Sequence, residues 1–349
     1  MAVMEHRILS LGSCLRPHVK THKVVELARQ QVAAFSGGIT VSTLAEAEHF
    51  ARFGFNDITW ALPLPLSQIK SALKLSQTIK LNLLIDNPQT LHFLEESLKQ
   101  YQLRASVFLK VDCGYGRAGV NPKSSSAIAL AQKIHHSPHI DFCGLLTHAG
   151  HSYSCRSASE IYEISKQERN SVLFLKNRLK QCGVPVPCIS IGSTPTMSVV
   201  DNLDGIDEVR PGNYVFFDRA QVGIGSCKLN DIALSVLATV IGIYPERKEL
   251  LIDAGGIALS KDEGPCDRQS RYGLLVDPFT QEPINQCNLY SLSQEHGKIR
   301  YRGVNPPFSV GDRVRILPNH SCMTAAAHSE FHLLRGSTFE GIWKPVKGW

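Results

Sequence analysis

The sequence predicts an α/β fold, a (β/α)8 barrel of the TIM type followed by a C-terminal β domain. Eight short apolar runs recur before about residue 215, and segments with helical periodicity separate them. Strands that alternate with helices pair in parallel through right-handed crossovers, and eight such repeats close into a barrel. After about residue 230 the composition changes to β-branched runs separated by turns, which predicts the second domain.

The predicted barrel elements follow one another in order along the chain. The predicted strands are residues 15–21, 39–44, 57–62, 80–86, 105–112, 140–148, 187–192 and 207–211. The clearest predicted helices are residues 44–53, 90–99, 125–134 and 157–182, with Gly183 ending the last one.

The C-terminal part is predicted from three apolar or alternating runs, which are residues 233–243, 249–253 and 313–317. Turn signals at 245–248, 263–265 and 311–312 separate these strands. We therefore expect a barrel domain over residues 1–228 and an antiparallel β domain over residues 229–349.

The composition is that of a soluble globular protein, with 43% hydrophobic and 19% charged residues. The net charge of +6 comes from scattered residues, and no apolar run approaches the ~20 residues of a membrane span. The first residues make a poor signal peptide. The ten cysteines are far apart and form no CxxC pair, which favours reduced thiols. We expect a cytoplasmic protein with no nucleic-acid or membrane partner.

The most distinctive stretch is LRPHVKTHK at residues 15–23. In an extended chain residues two apart share a face, and here those residues are Arg16, His18, Lys20 and His22. Such a face is costly to bury unless it lines a polar site. Neighbouring positive charges favour a neutral, nucleophilic amine, which a Schiff-base lysine requires. A solvated edge strand or a basic surface patch is the alternative interpretation.

Polar clusters follow the predicted strands at their carboxyl ends, where a barrel of this type places its chemistry. The turns after strands seven and eight present backbone N–H groups, to which Ser193, Thr194 and Asn213 add side-chain donors. This pattern is typical of a phosphate site. Alternatively, residues 191–196 form only a strand-to-helix turn with Thr196 as the N-cap. A phosphate site opposite a Schiff-base lysine predicts pyridoxal 5′-phosphate as the cofactor.

His320 and Cys322 follow the predicted strand 313–317 and are two residues apart. An imidazole and a thiol on one face suit Zn²⁺ better than Mg²⁺ or Ca²⁺. Two protein ligands leave coordination positions open, as a catalytic metal requires. A lone H-x-C is a weak motif, so a buried, non-coordinating cysteine is the alternative. His328 and His332 are not included as ligands.

Seven motifs occur in order and carry a family resemblance: RPHVKTHK, GYGRAGV, THAGHSY, VRPGNYVFFD, IDAGGIALSKD, SQEHG and PNHSC. Together they resemble the D-serine dehydratase / D-threonine aldolase group. That group consists of pyridoxal-phosphate enzymes of the alanine-racemase-like fold (fold type III). The resemblance covers nearly the whole chain and implies a lyase that acts on a small D-3-hydroxy amino acid, and we expect a homodimer.

The resemblance also implies roles for individual residues. Lys20 is the Schiff-base lysine, Arg117 contacts the phenolic oxygen of the cofactor, and Tyr153 lies near it. Arg210 lies near the pyridine nitrogen, where a cation disfavours protonation. The implied phosphate cradle is Gly192, Ser193, Thr194, Gly212 and Asn213, and the implied metal ligands are His320 and Cys322.

One departure from the group lies at the start of the chain. Relatives usually carry an extra strand and helix, with a TPALVxD-like start, before the RPHVKTHK region. Here only MAVMEHRILSLGSC precedes it. Because that strand normally joins the C-terminal β domain, we expect one of two explanations: translation starts further upstream, or this domain is trimmed at one edge.

The cysteine favours dehydration among the activities of the group. The resemblance implies that Lys20 removes the Cα proton of D-serine, while Zn²⁺ helps the β-hydroxyl leave, giving pyruvate and ammonia. In the aldolases an acidic ligand for Mn²⁺ or Mg²⁺ is commoner at the cysteine position. The alternatives are a D-threonine or 3-hydroxy-D-aspartate aldolase, a non-catalytic pyridoxal-phosphate carrier and a racemase.

Overall fold

The computed structural model describes residues 1–33, 38–264 and 271–347. The chain forms two compact units. The first comprises Met1–Gly212 with Val346–Trp349, and the second comprises Asn213–Pro345.

The first unit is built on an eight-stranded parallel sheet in the order β1-β8-β7-β6-β5-β4-β3-β2. Beyond β1, a parallel bridge between His18 and Thr40 joins the chain to β2 and closes the ring. The predicted parallel α/β barrel is thus confirmed. Its strands are β1 (Cys14–Leu15), β2 (Ile39–Val41), β3 (Asp57–Pro63), β4 (Lys80–Ile85), β5 (Ala105–Lys110), β6 (Ile140–Leu146), β7 (Cys188–Ile191) and β8 (Glu208–Val209).

Helices alternate with these strands, and side-chain caps explain where several of them begin. Thr43, Asn87, Ser124 and Ser157 each accept a hydrogen bond from a first-turn amide. Gly183, with φ +73°, follows the longest helix, as expected. The helices are α1 (Ala2–Ser10), α2 (Val25–Val32), α3 (Leu44–Arg52), α4 (Ile69–Ser76), α5 (Pro88–Tyr101), α6 (Ser125–His136), α7 (Ala158–Gln181) and α8 (Thr194–Val199).

The first strand is much shorter than predicted. β1 ends at Leu15, and Val19–Thr21 form a 3-10 turn. Pro17 has no N–H to continue a ladder, and the chain turns soon after it. His22 is buried and bonded to Gln31, whereas Lys20 is exposed. The prediction that residues 16, 18, 20 and 22 share one face of a strand is therefore wrong.

The second unit is an antiparallel β structure, as predicted. Its main sheet has the order β11-β14-β9-β10-β13-β12, and β15 pairs with β16. One face of the main sheet buries an aliphatic core that includes Val240, Leu250, Leu289 and Ile299. The strands are β9 (Val236–Tyr244), β10 (Glu249–Ile252), β11 (Leu274–Val276), β12 (Cys287–Leu292), β13 (Gly297–Tyr301), β14 (Arg313–Leu317), β15 (Phe331–Arg335) and β16 (Thr338–Trp343), and the helices are α9 (Arg219–Gly223), α10 (Gly256–Leu259) and α11 (Ser321–Ala327).

The second unit begins at Asn213, before the boundary after residue 228 that composition indicates. The backbone N–H of Arg219 donates to the Pro318 carbonyl at 3.1 Å. The Asp218 carboxylate accepts the Ser321 N–H at 2.9 Å. Composition changes only where β9 starts, whereas these long-range hydrogen bonds attach α9 to the second unit.

The described cysteines are all free thiols, while Cys266 lies outside the described residues. Pro265, in the predicted turn 263–265, lies outside them as well. Within the described ranges, no helix combines the length and apolar character needed to cross a membrane.

Candidate active site

Lys20 presents an accessible amine just beyond the carboxyl end of β1, on the turn Val19–Thr21. Two other lysines are less suited to bind a ligand covalently. Lys23 is paired through Nζ with Glu46 Oε1 at 3.1 Å. Lys110, the last residue of β5, is 6% exposed, and its burial lowers its pKa to about 7. Of these three lysines Lys20 is the exposed one, and its role as the Schiff-base lysine stays a prediction.

A group of basic side chains surrounds this end of the barrel. We call His18, Lys20, Lys110, His148 and Arg210 the cationic cluster. Burial, reinforced by the positive charges of Lys20 and its neighbours, holds the pKa values of His18 and His148 well below the usual histidine range. Burial lowers the pKa of Arg210 to about 10. These mutual effects require the cluster members to lie close together.

Arg210 is held by a chain of polar groups in the barrel interior. Its guanidinium donates to the Ser190 hydroxyl and to the Thr147 carbonyl. Ser190 Oγ in turn donates to Glu208 Oε1 at 2.6 Å. Glu208 Oε2 accepts from Arg16 Nε at 2.6 Å, which links Arg210 to a buried ion pair.

The predicted phosphate cradle contains two glycines that a side chain would disturb. Gly192 has φ +106°, and a Cβ on Gly212 would lie 2.7 Å from the His18 carbonyl oxygen. Ser193, not Thr196, is the N-cap of α8, so the alternative N-cap prediction is wrong. Ser193 directly precedes the first helical residue, and its side chain accepts the N–H of Thr196. Thr196, the third helical residue, accepts the Ser193 N–H in return, which completes a capping box. Thr194 is fully buried.

Arg117 and Tyr153 are both exposed at loops that follow the barrel strands. The guanidinium carbon of Arg117 lies 5.0 Å from the centre of the Tyr115 ring. The backbone there is fixed by Asp112, whose carboxylate accepts the Gly116 N–H at 3.0 Å. The Tyr153 ring centre lies 6.4 Å from that of His148.

The residues of this end of the barrel fit an anionic cofactor such as pyridoxal 5′-phosphate. Five basic side chains converge there, while the carboxylates of Glu208 and Glu168 act on Arg210 and that of Glu168 also acts on Lys110. His18 Nδ1 is buried with no hydrogen-bond partner among the described residues. A cluster of basic side chains of this kind is stabilised further by a bound phosphate or carboxylate.

Three residues of this region were not predicted as site residues from the sequence. Lys110 and His148 both lie at strand ends, where Lys110 precedes the GYGRAGV motif and His148 lies inside THAGHSY. Glu168 gives a subtler signal, because it falls on the buried stripe of α7 with Ile161 and Val172. A carboxylate on an apolar helix stripe indicates a specific set of hydrogen-bond donors.

In the second unit, His320 and Cys322 lie at the start of α11 and contact each other. Asp262 Oδ2 bonds to His320 Nδ1 at 2.7 Å, so Nε2 is the nitrogen that this contact leaves available. Although burial lowers the pKa of His320, the thiol of Cys322 and the Asp262 carboxylate outweigh it and raise this pKa to about 9.

This pair fits an open metal site with few protein ligands. No group of three or more metal-ligating side chains occurs among the residues that the structure describes, so the pair stands without a third such ligand there. A thiol and an imidazole are ligands that zinc prefers. A carboxylate on the second imidazole nitrogen is the usual support of a metal-bound histidine.

Asn213, expected in the phosphate cradle, directs its side-chain amide elsewhere within the second unit. Its Nδ2 lies 2.8 Å from Asp218 Oδ2, 2.9 Å from Ser321 Oγ and 3.6 Å from Cys322 Sγ. The side chain therefore supports the metal pair, and its placement in the phosphate cradle stays a prediction.

Comparisons with known proteins agree with this architecture. Residues 1–220 match the family described as alanine racemase, N-terminal domain, and residues 233–334 match a putative serine dehydratase domain. The chain is 38% identical to a D-serine dehydratase of Dictyostelium discoideum, over 99% of this chain and 93% of the relative.

Two further relatives cover most of the chain. The solved structure of D-threo-3-hydroxyaspartate dehydratase from Delftia sp. HT23 has a TM-score of 0.94 and 34% identity, covering 100% of this chain and 94% of that one. A D-threonine aldolase of Arthrobacter sp is 28% identical over 95% of this chain and 84% of the relative. The chain therefore belongs to the alanine-racemase-like, fold type III family of pyridoxal-phosphate enzymes, in the group of lyases that carries a serine dehydratase domain.

Proposed function

We propose that this protein is a D-serine dehydratase that converts D-serine into pyruvate and ammonia with pyridoxal 5′-phosphate and Zn²⁺. The observation that carries the proposal is the Cys322 thiol in contact with the His320 imidazole. This ligand chemistry favours zinc, and zinc as a Lewis acid suits cleavage of a C–O bond. The likeness to the Dictyostelium D-serine dehydratase supports the same choice of substrate.

The barrel residues hold the cofactor in this proposal. Lys20 binds it covalently, Arg117 contacts its phenolic oxygen, and Tyr153 lies near it. Arg210 faces the pyridine nitrogen, and its bonds to Ser190 and Thr147 keep the guanidinium in one orientation. The cradle that holds the phosphate consists of Gly192, Ser193, Thr194, Gly212 and the backbone of Asn213.

Lys20 also moves the proton. Bound pyridoxal 5′-phosphate supplies an electron sink that acidifies the substrate Cα–H bond. Lys20 Nζ takes that proton, since it is the accessible amine of the cationic cluster.

The metal pair serves the leaving group. Zn²⁺ held by His320 and Cys322 supplies Lewis-acid chemistry that stabilises the departing hydroxide. Asp262 fixes the imidazole through Nδ1, and Asn213 donates to the thiol sulfur at 3.6 Å. Both contacts orient the ligands before a metal binds.

A retro-aldol reaction is the second candidate, with Mn²⁺ or Mg²⁺ as alternative metals. The likeness to the Arthrobacter D-threonine aldolase favours it. The likeness to D-threo-3-hydroxyaspartate dehydratase favours instead a dehydration of a more acidic substrate. A racemase and a non-catalytic pyridoxal-phosphate carrier are the remaining alternatives, and we rank both below the dehydratase and the aldolase. The homodimer and the cytoplasmic location stay predictions from the sequence and the resemblance.

A product assay separates these reactions. The zinc-loaded protein is incubated in turn with D-serine, D-threonine, D-threo-3-hydroxyaspartate and L-serine. We expect pyruvate and ammonia from D-serine, with little product from L-serine. Glycine and acetaldehyde from D-threonine, without pyruvate from D-serine, would establish the aldolase instead. Interconversion of D-serine and L-serine would establish the racemase.

A further inference from the structure

Glu168 is a fully buried carboxylate in the middle of α7, with 0% of its surface exposed. The same stripe of α7 carries Ile161, Val172 and Leu175. A carboxylate among aliphatic side chains is strongly destabilising unless several donors satisfy it. Packing of α7 against the barrel does not require an acidic side chain at this position. The hydrogen bonds of Glu168 must therefore explain it.

Those contacts join two loops that follow neighbouring barrel strands. Glu168 Oε1 accepts the backbone N–H of Ala149 at 2.8 Å and that of Gly192 at 3.0 Å. Ala149 follows β6, and Gly192 follows β7. A single oxygen therefore fixes the distance between the THAGHSY loop and the Gly192 turn.

The second oxygen of Glu168 acts on the same turn through Thr196, whose hydroxyl donates to Oε2 at 3.1 Å. Thr196 Oγ1 accepts the Ser193 N–H at 3.0 Å, and the Thr196 N–H lies 3.3 Å from Ser193 Oγ. Ser193 Oγ also lies 2.9 Å from Ser152 Oγ in the THAGHSY loop. The Gly192 and Ser193 amides are thus both oriented, directly or through one hydroxyl, by Glu168.

The surroundings of Glu168 also shift the pKa of its carboxyl group. Burial raises the pKa of Glu168, while the Gly192 and Ala149 amides and the Arg210 charge act in the opposite direction. The carboxylate lies behind the turn, where it orients the backbone amides and hydroxyls of that turn.

We propose that Glu168 is a positioning residue that sets the Gly192-Ser193-Thr194 turn in the shape that receives the phosphate of pyridoxal 5′-phosphate. The inference rests on the proposed function, because it requires the phosphate to bind at this turn. Glu168 contacts neither substrate nor cofactor in this account. Its effect is transmitted through the Gly192 amide and the Thr196 hydroxyl.

The test compares two ligands that differ only in the phosphate, pyridoxal 5′-phosphate and pyridoxal. Their dissociation constants are measured by absorbance for cofactor-free wild type, Glu168→Gln, Thr196→Val and the double variant. Glutamine keeps the oxygen that accepts the two amides but replaces the acceptor of the Thr196 hydroxyl with a donor. We expect Glu168→Gln to weaken pyridoxal 5′-phosphate by about tenfold and pyridoxal by less than about twofold.

Thr196→Val should produce a similar selective loss, and the double variant should be little worse than either, because both act through one hydrogen bond. Val172→Ala is the matched control, since Val172 is fully buried on the same stripe of α7, one turn beyond Glu168. It should lower the thermal midpoint and leave both dissociation constants unchanged.

Equal weakening of both ligands by Glu168→Gln would overturn the inference, as would an effect no larger than that of Val172→Ala. Additive losses in the double variant would also contradict it. If the wild type binds pyridoxal 5′-phosphate but forms no pyruvate, the dehydratase proposal fails, whereas selective loss in Glu168→Gln still supports the role of Glu168. A wild type that binds no pyridoxal 5′-phosphate overturns both.

Discussion

The cationic cluster of the barrel and the His320–Cys322 pair of the second unit are built for opposite charges. In the barrel, basic side chains converge and burial lowers the pKa values of Lys110, His148 and Arg210. At the pair, burial lowers the pKa of His320, but Cys322 and the Asp262 and Asp218 carboxylates outweigh burial and raise this pKa. The first arrangement suits an anion and the second suits a cation, as the proposed binding of pyridoxal 5′-phosphate and of Zn²⁺ requires.

The two regions also differ in how their side chains are held. Arg210 is supported by residues from several strands, which lead through Ser190 and Glu208 to Arg16. His320 Nδ1 is bonded to the Asp262 carboxylate, and both side chains are nearly half exposed. We therefore expect substitutions that disrupt the barrel network to affect stability more than substitutions at the surface of the second unit.

The largest expected effect is at Lys20. Lys20→Ala should lower pyruvate formation from D-serine by about 10³-fold or more, because it removes the proposed base and the covalent attachment. Borohydride reduction of the holoenzyme should place the label on the Lys20 peptide. Lys23→Ala, which removes an amine already paired with Glu46, is the matched control and should retain activity. A label on Lys23 or on Lys110 would refute the assignment.

The next effect is on the free energy of unfolding, and it compares the loss of a buried ion pair with the loss of an exposed one. Arg16→Met breaks the ion pair with Glu208 inside the barrel and removes one partner of Asp57, which keeps its pair with Lys80. It should cost about 3–5 kcal/mol of unfolding free energy. Arg335→Met removes a pair with Glu340 in the β15–β16 hairpin, where Arg335 is 83% exposed. It should cost less than about 1 kcal/mol. Urea unfolding midpoints measure both, and similar shifts would refute the contrast.

A smaller effect is the contribution of Lys110 to the pH dependence of the unfolding free energy. Its pKa of about 7 in the folded protein lies below the value of about 10.4 for an unfolded lysine. Between these values the unfolded chain binds the extra proton, so this group makes the folded state more stable as pH rises. In cofactor-free protein, the wild type should gain up to about 1.4 kcal/mol per pH unit relative to Lys110→Met between about pH 7.5 and 9.5. Parallel pH curves for the two proteins would contradict this prediction.

The barrel and its strand order followed from the sequence, because apolar runs and helical periodicity report local structure directly. The β5 run and the α7 stripe, for example, lie within two residues of their predicted bounds. The prediction of a strand over residues 15–21 was wrong, because only Cys14 and Leu15 pair with β8. Alternation of side chains does not indicate where the hydrogen-bonded ladder ends. Pro17 is the local signal that a shorter strand was possible.

The site was harder to predict because its geometry depends on contacts between residues far apart in sequence. Glu168 meets Ala149 and Gly192 only after α7 packs against the barrel. Asn213 looks like part of the Arg210–Gly212 cluster in the sequence, yet its amide reaches Ser321 and Cys322, more than 100 residues later. The H-x-C motif was found from spacing, but Asp262 as its support was not, since no local pattern connects them.

The most direct test of the account is whether the two regions serve separate steps, as measured with Cys322→Ala. Wild type and variant are incubated with D-serine in deuterated buffer, and both pyruvate and exchange at Cα are followed. The account predicts that the variant still exchanges the Cα proton, which depends on Lys20, while pyruvate formation falls by about 10²-fold, or about 2.7 kcal/mol. His320→Ala should behave in the same way, and the double variant should be little worse. Full dehydratase activity of Cys322→Ala after chelation would contradict the account and leave Cys322 as a non-coordinating cysteine.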